Sequence, residues 1–397
     1  MFKLHKMKRR HYRNTTEISI SRLMMAFGFA GIDTVWAIYM NSFGLKDSTI
    51  GFISAFLVIL SLIAALYSTP ILEKIKEFKI LVTSLVVTII SYLSIAYFKN
   101  LYFFIFISMI LTIVAVFRLD SFHILFRDEA KNKTLNEEEG LMFELLNVGW
   151  FIGPLIAGFV LARYGVSSVF VMSSAFILMG LIILLTLNIK YKEKKRTYID
   201  KNIKENITSY IKKKKLKIPY LVSAGVEIWW ALIYIYVPLF IIKSGAGEEV
   251  VGIFLSAIVV PLVLLEYKAG KLSETLGFRK FLLIGYLILG SSAVIAFFSS
   301  NIYLTLVILS FSSFGMAMIE PLQDSFFFRQ VKCNDEEKYY PIYATSGEIG
   351  SFLGKFLIAG VLLILPGKFA YLTIAIFMFF IAWICYNIKD HVKICNT

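Results

Sequence analysis

The second half of this chain repeats the landmarks of the first. Gly44, Gly51, Glu73, Lys79, Gly149 and Gly153 are answered 201 positions later by Gly245, Gly252, Glu274, Lys280, Gly350 and Gly354. Between the landmarks lie long apolar runs. A helix that crosses a bilayer needs about 20 mostly apolar residues. Twelve runs reach that length: 17–41, 48–69, 79–98, 101–126, 140–162, 167–188, 218–242, 250–267, 280–299, 302–328, 340–364 and 369–387. They are continuously apolar rather than alternating in short segments, so they predict spanning helices and not a barrel. A soluble domain would carry more than the 17% charged residues found here. The expected fold is an all-α polytopic membrane protein, twelve helices in two pseudo-symmetric six-helix bundles over 17–188 and 218–388. A basic tail (1–16), a basic linker (189–217) and a second tail (389–397) complete the division.

The net charge of +14 invites a nucleic-acid reading, but the location of the charge argues otherwise. If twelve helices alternate, the two tails, the linker and every second loop hold nearly all the Lys and Arg. The opposite side holds Lys46, Lys99, Arg163, Lys243 and Lys368, while Arg22, Arg118 and Lys355 lie within spans. That asymmetry follows the positive-inside rule. It predicts cytoplasmic termini in a plasma or inner membrane, with no nucleic-acid partner. The run behind the basic start reads as an uncleaved first helix, because it is too long for a signal-peptide core and lacks a small-residue cleavage site. Cys333, Cys385 and Cys395 fall on the cytoplasmic side, where a disulfide is not expected. Scattered His and Cys offer no metal spacing, and no cofactor motif is found. In the linker, Ile199, Ile203, Ile207 and Ile211 recur every fourth residue among many basic residues. The segment reads either as a solvated linker or as an amphipathic helix on the anionic inner leaflet.

The loop after the eighth run reads Gly270-Lys-Leu-Ser-Glu274-Thr-Leu-Gly277-Phe-Arg279-Lys280. It resembles the short-loop signature of the major facilitator superfamily, G-x-L-[small]-[D/E]-x-x-G-x-[R/K]-[R/K]. The counterpart in the first half keeps Glu73 and Lys79 but lacks the glycines. In the fifth run, Gly140, Gly149, Gly153 and Pro154 have the spacing G-x8-G-x3-G-P, followed by Ala157-Gly158. This is similar to a pattern in the superfamily's proton-coupled drug exporters. Small residues four apart also let helices pack closely in lipid, so Gly149, Gly153, Pro154, Gly350 and Gly354 are equally packing candidates. The resemblance covers nearly the whole chain. It implies alternating access, with the first, fourth, seventh and tenth helices lining a central cavity.

Ionisable groups inside the membrane are expensive and mark function or pairing. Asp33, Glu227, Glu320 and Asp324 are therefore the candidate substrate or proton groups. Glu227 precedes Trp229 and Trp230, with Tyr234 one turn beyond Trp230; a carboxylate among aromatics suits an organic cation. Glu320 and Asp324 are one helical turn apart, and neighbouring carboxylates favour proton uptake. Arg118 is expected to form an intracellular latch with an acid, and Asp120, Glu348 and Lys355 are further buried ion-pair candidates, Lys355 with acids on neighbouring helices. The implied function is a monomeric proton-coupled transporter that exports small amphipathic or cationic compounds. Proton-coupled nutrient uptake is the alternative. A membrane enzyme would need a clustered nucleophile, metal set or nucleotide loop, and none is present. A channel fits poorly with a six-plus-six repeat.

Overall fold

Why the chain forms helices follows from its apolar runs, and where the helices stop follows from short polar punctuation. The computed structural model describes residues 2–130, 135–186, 203–331 and 335–388. In the first half the helices are α1 (Phe2–Ser42), α2 (Asp47–Lys74), α3 (Glu77–Tyr97), α4 (Leu101–Glu129), α5 (Leu135–Tyr164) and α6 (Val166–Thr186). A linker helix follows, α7 (Ile203–Lys212). The seventh span is α8 (Lys214–Ala231), a π turn at Leu232–Tyr236, and α9 (Val237–Ser244). The eighth is α10 (Glu248–Ala257) and α11 (Val260–Leu276), and the ninth is α12 (Phe278–Phe298). The tenth joins α13 (Ile302–Ile319) through a 3₁₀ turn at Glu320–Leu322 to α14 (Gln323–Gln330). The last two are α15 (Glu336–Leu362) and α16 (Phe369–Tyr386). No strand occurs among the described residues.

Eleven described helical segments are long and apolar enough to cross a membrane. The helix over the expected eleventh span, α15, is long enough, but Glu348, Lys355 and its small residues dilute its apolarity. The tail expected as separate through residue 16 continues as helix into the first span from Phe2.

The echo in the sequence is an echo in structure. Gly44 and Gly245 both adopt left-handed backbone (φ +79° and +76°) with no atom near a would-be Cβ, so conformation is the reason for glycine there. Asn100 and Asn301, also 201 apart, cap α4 and α13: Asn100 Oδ1 accepts from the Phe103 amide at 3.0 Å, and Asn301 Oδ1 from the Tyr303 amide at 2.9 Å. Helix pairing repeats too. α1 packs on α5 as α8 packs on α15, and α3 packs on α4 and α6 as α12 packs on α13 and α16. A Cβ at Gly153 would lie 2.8 Å from the Ala30 methyl, and one at Gly354 2.9 Å from the Ala231 methyl.

The chain divides into two compact units that do not follow the two halves. Unit 1 is Met1–Gly44, Ile59–Arg196 and Gly247–Ser256; unit 2 is Leu45–Val58, Thr197–Ala246 and Ala257–Thr397. The start of α2 thus belongs with the second-half helices, and the start of α10 with the first-half ones. In unit 2, Lys243 of α9 donates to Asp47 of α2 at 2.6 Å, and the Phe52 and Phe356 rings meet edge-on at 5.3 Å. In unit 1, Gly252 of α10 packs on the Pro154 carbonyl and on Gly158 of α5; a Cβ at either glycine would meet the other's Cα within 2.9 Å.

Candidate functional site

Unit 2 gathers most of the candidate membrane carboxylates. The π turn of the seventh span lies immediately beyond Glu227, Trp229 and Trp230, and such widened turns recur at functional sites because they re-aim side chains within an otherwise regular helix. The eighth span breaks at Ile258–Val259 before Pro261, and α11 then carries Glu266. In the tenth span Pro321, which lacks an amide donor, accompanies a tightening to 3₁₀ that begins at Glu320. Glu320 lies within electrostatic reach of Glu266 and Glu227. Glu227 in turn lies within reach of Lys355 and Glu348 on α15. Four carboxylates and one ammonium, from the seventh, eighth, tenth and eleventh spans, therefore share one region of unit 2. Oε2 of Glu320 is buried and has no hydrogen-bond partner.

Aromatic neighbours sort into two kinds. Trp229 is fully buried and belongs to the core. Trp230 and Tyr234 are half-buried, with ring centroids 5.4 Å apart, so these two are the aromatics available to a ligand. Tyr236 closes the far side of the π turn by donating to the Lys355 carbonyl at 2.6 Å. Glu266 was not among the residues expected from sequence. Its signal was an acid directly after the apolar stretch Val260–Leu265, near the expected end of the eighth run.

The expected Glu320–Asp324 pair is not what the fold assembles. The 3₁₀ turn has three residues per turn instead of 3.6, which rotates the two carboxylates off a common face. Asp324 is exposed and sits beside Tyr343 and Tyr340, while the neighbours of Glu320 come from other helices.

Unit 1 holds a smaller group. Arg118 of α4 is buried, and its guanidinium lies 3.5 Å from the centroid of the Phe29 ring. Its electrostatic partners are Tyr92 of α3 and Asp33 of α1. Asp33 is thus the acid within electrostatic reach of Arg118, while Asp120 lies near His123; the Arg118 and Asp120 side chains leave α4 in directions about 200° apart. Arg22 lies over the Phe122 ring at 4.6 Å. Tyr92 is a further member that sequence reasoning missed, being one buried tyrosine among many spans' aromatics.

The loop signature is met at its turn. Gly277 ends α11 with φ +90°, a backbone that side chains rarely adopt. Arg279 lies over the Tyr386 ring at 4.9 Å. Gly270 has open space around it, and Lys280 is exposed. The side chains of Glu73 and Glu274 lie outside the described residues, as do the linker through residue 202, the last nine residues, Cys333 and Cys395. Two of the fifth-helix glycines sit at close helix contacts: Gly149 and Gly153 abut Ala26 and Ala30 of α1. Gly350 and Gly354 do the same on α8.

Comparison with known proteins bears on this architecture. A family model described as Major Facilitator Superfamily matches residues 18–265 and 220–393. An uncharacterized MFS-type transporter of Methanocaldococcus jannaschii is 22% identical over 235 residues, 57% of this chain. The match spans 59% of that relative's length. Among solved structures, a POT family transporter in complex with 5-aminolevulinic acid aligns with a TM-score of 0.77 at 12% identity, covering 94% of this chain and 95% of that one. The nucleoside transporter NupG aligns with a TM-score of 0.77 at 12% identity, covering 94% and 99%. At such identity the likeness is one of fold.

Proposed function

The chain belongs to the major facilitator superfamily and is an integral membrane protein, and from that premise we propose that it is a proton-coupled secondary transporter working by alternating access. Its cargo is a small cationic or amphipathic compound, and its direction is export. Both termini and the basic loops face the cytoplasm, the linker lies against anionic inner-leaflet lipid, and the protein works as a monomer.

The observation that carries this reading is the carboxylate group of unit 2. Glu227, Glu266, Glu320 and Glu348 share a region with a single Lys355. Like charges crowded at low dielectric are relieved by a bound proton or a bound cation. One site that holds either, but not both, exchanges them. That competition is the physical basis of antiport, and Trp230 and Tyr234 offer π faces to an organic cation. Loss of either occupant re-exposes the charge, which couples occupancy to the conformational cycle. In unit 1, Arg118 and Asp33 would balance each other and change partner during the cycle. Lys355 supports a second reading. A cation amid carboxylates also suits a zwitterion, as in proton-coupled uptake of a peptide or amino acid.

Purified protein in proteoliposomes, loaded with a pH-sensitive dye, tests both readings. An imposed acidic interior should drive tetraphenylphosphonium inward with proton release. Glu320→Gln and Glu266→Gln should each lower that coupled flux about tenfold or more, equivalent to at least ~1.4 kcal/mol of lost coupling. Unchanged coupled flux in both variants removes this group from the mechanism. Proton entry driven by dipeptides, with none driven by the cation, establishes uptake instead.

A further inference from the structure

The linker helix α7 has three distinct sides. At about 100° per residue, Asn206, Ser209 and Tyr210 form one, Ile207 and Ile211 a second, and Glu205, Thr208 and Lys212 a third. Their centres lie about 120° apart. The first side is docked. Asn206 and Tyr210 are buried, and Tyr210 joins Leu216, Phe327, Val331, Tyr339 and Tyr343 in one cluster. The Ser209 and Tyr339 hydroxyls are hydrogen-bonded at 2.8 Å. One residue past the helix, Lys213 pairs with Asp335 at 3.0 Å and lies 4.3 Å from the centroid of the Tyr339 ring. The third side is polar and exposed. The second is apolar and exposed: Ile207 by 40% and Ile211 by 54%.

A helix with a protein side, a water side and an uncovered apolar side is built for a boundary between three media. The position of α7 supplies the third medium. Only Lys213 separates it from α8, which begins the seventh membrane span, so Ile211 lies three residues before the span and at headgroup level. Lys212, Lys213, Lys214, Lys215 and Lys217 crowd that same junction. Their charge is complementary to anionic headgroups and repels a second copy of the same surface.

We propose that α7 is an interfacial strap: Ile207 and Ile211 insert at the surface of an anionic bilayer while Asn206, Ser209 and Tyr210 hold the cytoplasmic ends of the tenth and eleventh spans. The strap reaches from the lipid surface to Phe327 on α14 and Tyr339 on α15, so lipid charge bears directly on the ends of two helices of the carboxylate region. It rests on the cytoplasmic placement of the linker proposed above.

The test uses the full chain with Cys333, Cys385 and Cys395 replaced by alanine, reconstituted in nanodiscs and labelled with an environment-sensitive fluorophore at Ile211→Cys, Ile207→Cys or Lys212→Cys. In discs with about one-third phosphatidylglycerol, the labels at 207 and 211 should be blue-shifted. A shallow spin-labelled lipid should quench them at least threefold more than the label at 212. In pure phosphatidylcholine that quenching should fall by at least threefold. Equal quenching at 211 and 212 overturns the inserted face, and equal quenching in the two lipids overturns the anionic requirement. Topology is read separately, with a membrane-impermeant thiol reagent on Lys212→Cys in vesicles of known orientation. Labelling from outside sinks the cytoplasmic placement while leaving the lipid result to stand by itself.

Discussion

Single residues in this protein matter through what stands within a methyl group's reach. Gly140 and Gly350 make the contrast, since both were noticed for their spacing. A Cβ at Gly350 would stand 2.7 Å from Ala224 Cα, backbone that cannot swing aside, whereas nothing lies within 4 Å of one at Gly140. Gly350→Ala should therefore cost about 1–3 kcal/mol through overpacking. Gly140→Ala should be neutral or stabilising by up to about 1 kcal/mol, since alanine is the better helix former. Thermal unfolding in detergent reports both; equal midpoints would contradict the close approach of α8 and α15. Glu266 shows the limit of reading residues alone. In sequence it is one acid at the edge of an apolar run, and only the meeting of the eighth, tenth and seventh spans puts it beside Glu320.

Elements depart from regularity on one side of the molecule's internal repeat. The seventh span carries a π turn, the eighth a break and the tenth a 3₁₀ turn, while α1 and α4, the first and fourth spans, are each continuous. Pro261 and Pro321 signal the last two in sequence, and Pro238, two residues past the π turn over Leu232–Tyr236, signals the first, since each proline removes an amide from the helical ladder. The linker helix was legible as an isoleucine stripe but not as a docked element. Its protein-facing side is Asn206, Ser209 and Tyr210: Tyr210 donates to the nearby Leu216 carbonyl at 3.0 Å, but Ser209 meets Tyr339, 130 positions away, and the Tyr210 ring packs with Phe327 and Tyr339. That docking has a pH signature. The Tyr339 hydroxyl, followed by the Asp335 carboxylate, holds the Lys213 ammonium above its usual range. A raised lysine contributes its full stabilisation below its unfolded value of about 10.4 and loses it as pH climbs through the folded one. The anisotropy of a label at Lys212→Cys should stay level from about pH 7 to about pH 10 and fall above that. Asp335→Asn should bring the fall to lower pH. A profile that ignores both changes would exclude Lys213 from the docking.

At the scale of the whole molecule, the exchange of helix starts between units is the feature that no half of the chain contains. Lys243 and Asp47 are 196 positions apart, and their pair joins the start of α2 to α9 within unit 2. The two side chains are unequally exposed, 49% for Lys243 and 11% for Asp47. Removing the lysine strands a mostly buried carboxylate; removing the carboxylate leaves an ammonium that water can reach. Lys243→Gln should thus destabilise by about 1–2 kcal/mol and Asp47→Asn by less than about 1 kcal/mol, after allowance for solvent screening on the lysine side. Thermal melts of both single variants and the double variant measure the coupling, and an equal or reversed order would refute the asymmetry.

The sequence by itself determined what is local and what is repeated. Hydropathy placed the spans, because each must satisfy its own backbone in lipid whatever its neighbours are. The recurring glycines marked helix ends and close approaches, because turn geometry and helix contact demand small residues wherever they occur. Tertiary structure decided which charges meet. Arg118 meets Tyr92 and Asp33, Glu320 joins Glu266 rather than Asp324, and the first turns of α2 and α10 are exchanged between units. Those outcomes depend on rotation and register between helices far apart in the chain, and a rotation of one residue, about 100°, turns a side chain toward a different neighbour.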